Sequence, residues 1–145
     1  MILSPKNIIK SILIFLISIC LSSCQDENIV EPCTQMLLIG NEIYDNYPDD
    51  QLTILDVTLE GDCLQINFAA SGCSGNSWIV ELVGREEILE SLPPQRLIRL
   101  SLENNEICDA YIGKSVTFDI TPSRISGNEI ILNLDGWDKK IVYVY

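Results

Sequence analysis

Apolar side chains at every second position constrain the fold of this chain more than any other feature of its sequence. Strands with one buried face have this period of two, and after residue 32 no segment convincingly shows the longer period of an amphipathic helix. Turn-forming residues divide the alternation into seven segments, which include residues 52–59, 64–68, 78–82, 98–102, 116–120, 130–134 and 141–145. We therefore predict an all-β fold, a single antiparallel immunoglobulin-like β-sandwich of about seven strands. Residues 34–40 fit either an additional edge strand or a turn of helix.

The N-terminal segment is typical of a secretory signal. Lys6 and Lys10 precede an apolar stretch, and the uncharged residues 11–25 are too few to cross ~30 Å of hydrocarbon comfortably, which takes about 20 residues. Leu21-Ser22-Ser23-Cys24 resembles the lipobox of bacterial lipoproteins, in which the cysteine is acylated and becomes the mature N-terminus. The resemblance implies lipidation of Cys24, with palmitate among its acyl chains, and attachment to a membrane. A membrane-spanning anchor and an ordinary cleaved signal are the alternatives.

The predicted organisation has three parts. Residues 1–23 form the lipoprotein signal peptide, residues 24–32 contain the acylated cysteine and an acidic tether, and residues 33–145 form the β-sandwich domain. Within the tether, Gln25-Asp26-Glu27 resembles the acidic export signal of Bacteroidota lipoproteins. That resemblance implies an outer-membrane location with exposure at the cell surface, although a solvated spacer has the same composition.

The charge of the chain restricts its partners. All 21 acidic residues follow Cys24, whereas two of the nine basic residues, Lys6 and Lys10, belong to the predicted signal peptide. Without that peptide the formal charge is 7 − 21 = −14. Because such a charge repels nucleic acids, we expect no nucleic-acid partner.

The absence of histidine from the sequence restricts its chemistry. Activation of a serine or cysteine nucleophile by histidine is excluded, and so is zinc binding through histidine. Paired carboxylates would remain available to an enzyme, as in glycoside hydrolases, but nothing singles out a pair among the 21 acidic residues. We therefore predict no catalytic residues, no cofactor and no enzymatic activity.

Four cysteines follow the predicted lipidation site: Cys33, Cys63, Cys73 and Cys108. An even number of cysteines in an exported chain predicts two disulfides. The competing hypothesis is a four-thiolate metal site, but the sequence contains no C-x-x-C pair. Alternating strand directions place the loops of Cys73 and Cys108 at one end of the sandwich and Cys63 about 25 Å away, whereas a disulfide spans roughly 7 Å. This favours the pairs Cys73–Cys108 and Cys33–Cys63. A separate strand at residues 86–90 would reverse the parity and bring Cys63 to Cys108 instead.

Several landmarks occur together in residues 56–145. They are Ser71-Gly72-Cys73 at a strand end, the strand around Trp78, the break Pro93-Pro94, the acidic loop with Cys108, and Val116-Thr117-Phe118-Asp119-Ile120. Together they resemble the C-terminal β-sandwich domain of NigD-like lipoproteins of Bacteroidota. The resemblance implies a lipid-anchored sandwich with a bridge between Cys73 and Cys108, and it supplies no catalytic residues.

A few loops contain candidate binding residues. Residues 44–50 and 103–109 offer the oxygen ligands that calcium takes from flexible loops, but the first does not match D-x-[DN]-x-[DN]-G, and both are equally typical of exposed turns. Trp137, in the loop Asp135-Gly136-Trp137-Asp138, is a candidate partner contact or packs over its own hairpin. We expect Trp78 in the core, and Tyr111 near Cys108 is a second candidate for a partner surface.

These observations lead to one functional prediction and three alternatives. We predict a lipid-anchored outer-membrane or cell-surface lipoprotein that acts as a non-catalytic binding or structural accessory module. Its partners are the membrane, through the N-terminal acyl chains, and an unknown protein or carbohydrate held by loops or edge strands. The alternatives are a carboxylate-based glycoside hydrolase, a calcium-dependent carbohydrate-binding protein, and a protease inhibitor that uses residues 86–94.

Overall fold

The computed structural model describes residues 33–145, so the predicted signal peptide, Cys24 and the acidic tether lie outside the described residues. Nine strands, a six-residue helix and a short 3-10 turn make up the described part. The elements are β1 (Gln35–Met36), β2 (Leu38–Ile39), α1 (Asn41–Asn46), β3 (Thr53–Glu60), β4 (Cys63–Gly72), β5 (Ile79–Leu89), β6 (Gln95–Glu103), β7 (Ala110–Asp119), the 3-10 turn Thr121–Ser123, β8 (Glu129–Leu134) and β9 (Ile141–Val144). No helix in this part of the chain is long and apolar enough to cross a membrane.

The strands form two sheets that share one hydrophobic core. The four-stranded sheet has the order β1-β7-β4-β3, and the five-stranded sheet has the order β2-β5-β6-β8-β9. The seven predicted segments correspond to β3 through β9, so the all-β prediction is confirmed. The finer prediction of a purely antiparallel sandwich of about seven strands is wrong, because residues 33–145 contain nine strands and three of their pairs are parallel.

The parallel pairs have identifiable causes. Residues 34–40 supply two strands of two residues each, one for each sheet, and such short strands carry no detectable alternation. They pair in parallel with β7 and β5. The third parallel pair joins β6 to β8. These two strands are separated in sequence by β7, which lies in the other sheet, so their connection does not have to reverse the chain direction as a hairpin does.

The core follows the alternation that the sequence shows. In β4, Leu64, Ile66 and Phe68 are fully buried and lie in one cluster with Leu82 of β5 and Leu132 of β8. Burying a side chain of this size contributes about 1.5–3 kcal/mol relative to exposure. The core between the two sheets is therefore the main source of stability for the described domain.

β6 departs from simple alternation because both of its faces are buried. Its outer face lies beneath the segment that contains α1. Arg99, which is 8% exposed, donates to the carbonyl oxygens of Tyr44 and Tyr47 at 2.7 and 2.8 Å, and the Ser101 hydroxyl donates to Pro48 O at 2.7 Å. Residues 44–50, predicted as an acidic loop, are thus helical as far as residue 46 and cover the sheet.

β5 runs without a break from residue 79 to residue 89, with a bulge between Gly84 and Ile88. The buried Arg96 supports the bulge, because its Nη1 donates to the carbonyl oxygens of Arg85 and Glu86. Residues 86–89 therefore continue β5. They are not the separate strand that would have brought Cys63 to Cys108, and they are not part of a protruding loop of the kind expected for a protease inhibitor. Only residues 90–94 form the connection to β6.

The two disulfides lie at opposite ends of β4. Cys33 is bonded to Cys63, the first residue of β4, with 5.6 Å between their Cα atoms. Cys73, directly after the last residue of β4, is bonded to Cys108 with a Cα separation of 4.8 Å. The predicted disulfide bonds are confirmed, and their pairing is the one that the strand directions favoured.

We name the two ends of the sandwich after these bridges. The Cys63 end contains the β3–β4 turn, residues 90–94 and residues 120–128; Asp62 in that turn accepts hydrogen bonds from Arg124 and Tyr143 at 2.6 and 2.7 Å. The Cys73 end contains residues 47–52, 73–78 and 104–109; there, Asn104 Nδ2 donates to Ser71 O at 2.7 Å.

Candidate functional site

A groove of about 320 Å³ at the Cys73 end is the candidate site. Three stretches line it: residues 50–53 before and at the start of β3, residues 69–71 of β4, and residues between Asn104 and Tyr111. Two apolar side chains project here, Ile107 at 94% exposure and Tyr111 at 63%. Exposed aromatic and aliphatic groups beside polar backbone and side chains can contact a partner without rearrangement.

Glu106 organises the loop beside this groove. Its Oε2 accepts hydrogen bonds from the backbone N–H groups of Cys73, Ser74 and Gly75 at 2.5, 2.9 and 3.0 Å, and its Oε1 accepts one from Ser77 Oγ at 2.9 Å. The N–H groups of Gly75 and Ser74, followed by the Ser77 hydroxyl and the Cys73 N–H, lower the pKa of Glu106 to about 2. The loop is thus a backbone nest that already holds a carboxylate from its own chain.

Two glycines make this arrangement sterically accessible. A Cβ atom at Gly72 would lie 2.6 Å from Glu106 Oε2 and 2.8 Å from the Trp78 ring, and Gly75 has a φ of +68°. The sequence placed Ser71-Gly72-Cys73 at a strand end and Glu106 only within the candidate calcium loop 103–109, so the hydrogen bonds between these two segments were not predicted. One signal in the sequence could have indicated this contact: glycines and small residues flank Cys73, and its partner Cys108 lies in an acidic loop.

The loop that presents Ile107 is held from both sides. The Asn104 N–H donates to Asp50 Oδ2 at 2.7 Å, and Asn104 Oδ1 accepts from the Glu106 N–H at 2.9 Å. Together with the bridge to Cys73, these bonds restrict the loop on the rigid end of the sheet. A partner would therefore meet a preformed surface, which reduces the entropy lost on binding.

The acidic segments proposed as calcium ligands have other partners. Asp45 forms an ion pair with Arg85 at 2.6 Å, Asp49 lies 3.8 Å from Arg99, and Asp50 accepts from the backbone of the groove loop. Among residues 33–145 there is no group of three or more acidic or cysteine side chains that could hold a metal ion. The structure therefore does not bring these carboxylates together.

Trp137 lies apart from the groove. Its ring is partly buried against the core, and Lys139 Nζ lies 5.1 Å from the ring centroid. The backbone N–H of Trp137 donates to Leu134 O at 3.1 Å. The ring also borders a second groove of about 240 Å³ between β3 and β9. Packing over its own hairpin and a partner contact at the rim are both compatible with this position. Trp78, by contrast, packs against the core with its ring centroid 6.0 Å from that of Phe68.

A second polar cluster stabilises the Cys63 end. Tyr143 is fully buried, its hydroxyl donates to Asp62 Oδ1 at 2.7 Å, and Arg124 Nε donates to that hydroxyl at 2.7 Å. Desolvation, followed by the hydrogen bond to Asp62, raises the pKa of Tyr143 to about 12. The hydrogen bond from Tyr143 lowers the pKa of Asp62. The cluster joins the β3–β4 turn to β9 and was not predicted from the sequence.

Comparison with known proteins identifies a shared fold. No protein-family model and no curated protein matches this chain. A protein of unknown function from Bacteroides vulgatus, described as DUF1344, is 22% identical with a TM-score of 0.51, covering 76% of this chain and 56% of that one. A protein from Parabacteroides distasonis described as toxin-related is 15% identical with a TM-score of 0.47, covering 77% of this chain and 59% of that one. This chain thus spans less than two thirds of either protein, and the first likeness shows the fold alone.

Proposed function

We propose that this chain is an outer-membrane lipoprotein, anchored through acyl chains on Cys24, that displays a non-catalytic binding or structural module at the cell surface. The observation that carries the proposal is the position of the two disulfides. Cys33, where the tether reaches the domain, is bonded at one end of β4, and the candidate groove lies at the other. At about 3.3 Å per residue, the length of β4 separates the Cys33–Cys63 bridge from the groove by roughly 30 Å.

The groove is better suited to binding than to acid–base catalysis. Its carboxylates include Glu106 and Asp50, and both are engaged by backbone N–H groups of the groove loops. A carboxyl group whose pKa is about 2 is a poor proton donor or acceptor near neutral pH. The exposed Ile107 and Tyr111 instead favour capture of a protein or carbohydrate partner.

We also propose an immunoglobulin-like fold and a relationship to NigD-like lipoproteins. An immunoglobulin-like arrangement is supported by the connections β4–β5, β6–β7 and β7–β8, each of which passes from one sheet to the other. The bridge between Cys73 and Cys108 agrees with what the resemblance to NigD-like lipoproteins implies. The sequence Gln25-Asp26-Glu27 supports the outer face of the outer membrane as the location.

Lipidation can be tested by metabolic labelling with an alkyne analogue of palmitate. Wild-type protein should carry the label and sediment with membranes, because two or three acyl chains anchor a protein stably. Cys24→Ser should lose both properties. The matched control is Cys20→Ser, which removes the other cysteine of the signal region and should leave both unchanged. A Cys24→Ser protein that is still labelled and membrane-bound would contradict the anchor.

A further inference from the structure

One exposed leucine projects from the Cys63 end. Leu92 is 99% exposed and lies in residues 90–94, the connection between β5 and β6 that we call the Leu92 loop. Leu89, at the end of β5, is 45% exposed. Exposed leucines are common when isolated, so the importance of this one depends on how it is held and what lies next to it.

The Leu92 loop is held in place on both sides of its tip. Ser91 Oγ donates to Pro93 O at 2.6 Å, and Gln95 Nε2 donates to Ser91 Oγ at 2.9 Å. Pro94 O accepts a hydrogen bond from Ile131 N at 2.9 Å, which attaches the loop to β8. The leucine is therefore presented on an ordered loop, and its insertion into an apolar phase would require little further ordering of the chain.

The same end of the domain receives the tether. The Cys33–Cys63 bridge attaches the start of the domain to β4, and the Thr34 N–H and hydroxyl donate to Thr117 Oγ1 and Thr117 O at 3.1 and 2.9 Å. Arg124 donates to Asp62, the residue next to that bridge, and lies shortly before β8 in the sequence. The Ile131 N–H of β8 in turn donates to the Leu92 loop. The tether attachment and Leu92 therefore share one end of the sandwich.

The length of the tether limits how far this end can lie from the lipid. Nine peptide steps separate Cys24 from Cys33, and at about 3.3 Å each they span at most roughly 30 Å. Ile107 is 94% exposed as well, but it lies at the opposite end, about 30 Å further along β4. The two aliphatic side chains are almost equally exposed. They differ in their distance from Cys33, where the tether joins the domain.

We infer that the Cys63 end faces the bilayer and that Leu92 inserts its side chain into the interfacial region of an uncharged lipid surface. The inference rests on the proposed anchor at Cys24, because one leucine binds membranes too weakly without a tether that raises its local concentration. Glu60, Glu90 and Glu129 lie at or near this end, and Arg124 is paired with Asp62. Anionic headgroups would be repelled, so the surface is one of zwitterionic lipids.

A fluorescent probe at position 92 tests this orientation. Full-length acylated protein with Leu92→Cys, labelled with an environment-sensitive dye under non-reducing conditions, is reconstituted into phosphatidylcholine vesicles. The emission should shift to shorter wavelength and gain intensity, and spin-labelled lipids should quench it. The control is Ile107→Cys, which is almost equally exposed and should behave as it does in water. Vesicles with added phosphatidylglycerol should give a smaller shift at position 92.

The possible results separate the inference from the proposed function. Acylation is measured on the same sample by mass spectrometry of the N-terminal peptide. An acylated protein whose dye at position 92 remains in water overturns the inference and leaves the anchor intact. A chain without acyl groups overturns both, since the inference depends on the anchor. Equal shifts at positions 92 and 107 overturn the orientation, and a larger shift with phosphatidylglycerol overturns the assignment to zwitterionic lipid.

Discussion

Glu106 is the residue whose side chain joins residues 73–77 to the loop beside the candidate groove. It is an ordinary acidic residue of an acidic loop in the sequence, yet it accepts three backbone hydrogen bonds from residues 73–75. Its nearest partner in that nest is separated from it by 31 residues of chain. Only the close approach of the two loops, fixed by Cys73–Cys108, identifies its role.

Glu106→Gln should destabilise the domain near neutral pH, because a charged acceptor is replaced by a neutral one. The pKa of Glu106 falls from 4.5 to about 2 on folding, so its contribution is complete above pH 4.5 and disappears as the pH falls toward 2. The urea midpoint of the variant should therefore be lower than wild type at pH 7, and the difference should shrink at pH 3. Hydrogen–deuterium exchange of the Ser74 and Gly75 amides should become about tenfold faster.

Glu103→Gln is the matched control for that change. Glu103 belongs to the same acidic stretch, but its carboxylate accepts only from the exposed Asn105 side chain at 3.3 Å. Its replacement should leave the urea midpoint and the exchange of residues 73–75 unchanged. Equal effects of the two substitutions would show that loss of negative charge, and not the nest, accounts for the result.

Among the secondary-structure elements, α1 is attached to the outer face of the sheet by the buried Arg99 of β6. Arg99 donates to three carbonyl oxygens at and after the end of α1, those of Tyr44, Tyr47 and Pro48. The carbonyls of Tyr44 and Tyr47 lie at the helix end, where backbone groups need capping, and Pro48 O also accepts from the Ser101 hydroxyl. The cation thus attaches α1 and the chain that follows it to the outer face of the sheet.

Arg99→Met should lower the free energy of unfolding by about 2–3 kcal/mol, because hydrogen bonds from a buried charged donor are lost. The matched control is Arg85→Met. Arg85 forms one ion pair with Asp45 and its side chain is 32% exposed, so we expect a loss below about 1 kcal/mol. Urea unfolding measures both variants. Equal losses would contradict the capping role, and faster amide exchange confined to residues 44–50 in Arg99→Met would support it.

Across the whole described domain, the two disulfides lie at opposite ends of the sandwich. In the proposed function the anchor enters beside Cys63, while the groove with Ile107 and Tyr111 faces away from it. The net charge of −14 predicted for the processed chain keeps such a domain soluble at high surface density. The placement of a binding surface on end loops of a rigid sandwich is a common solution in this fold class.

A photo-crosslinking amino acid in place of Ile107 should capture the partner on intact cells if that partner is a protein. The control position is Val144 in β9, which is 65% exposed and lines neither of the two grooves described above. A discrete adduct from position 107 that is lost with Tyr111→Ala would support the groove as the binding surface. Identical adducts from both positions, or adducts that do not respond to Tyr111→Ala, would contradict it.

Side-chain alternation and turn residues are local properties, because the two faces of a strand are set by its own pleat. For that reason the positions of β3 through β9 could be read from the amino-acid sequence, and strand direction together with the cysteine positions favoured the observed disulfide pairs. The packing of Trp78 beside Phe68 also follows from its place on an alternating strand. These features need no knowledge of distant contacts.

Other features arise only when distant segments meet. The parallel pairing of β1, β2 and β8, the carboxylate nest around Glu106, and the burial of Arg99 beneath α1 depend on which strands become neighbours. Hydrogen bonds between segments far apart in sequence produce no periodic pattern in the sequence. A residue that forms such a bond cannot be distinguished, from the sequence, from any other residue of the same type. The separation of the Cys33–Cys63 bridge from the groove is of the same kind, because it follows from the length and direction of β4 within the folded sheet.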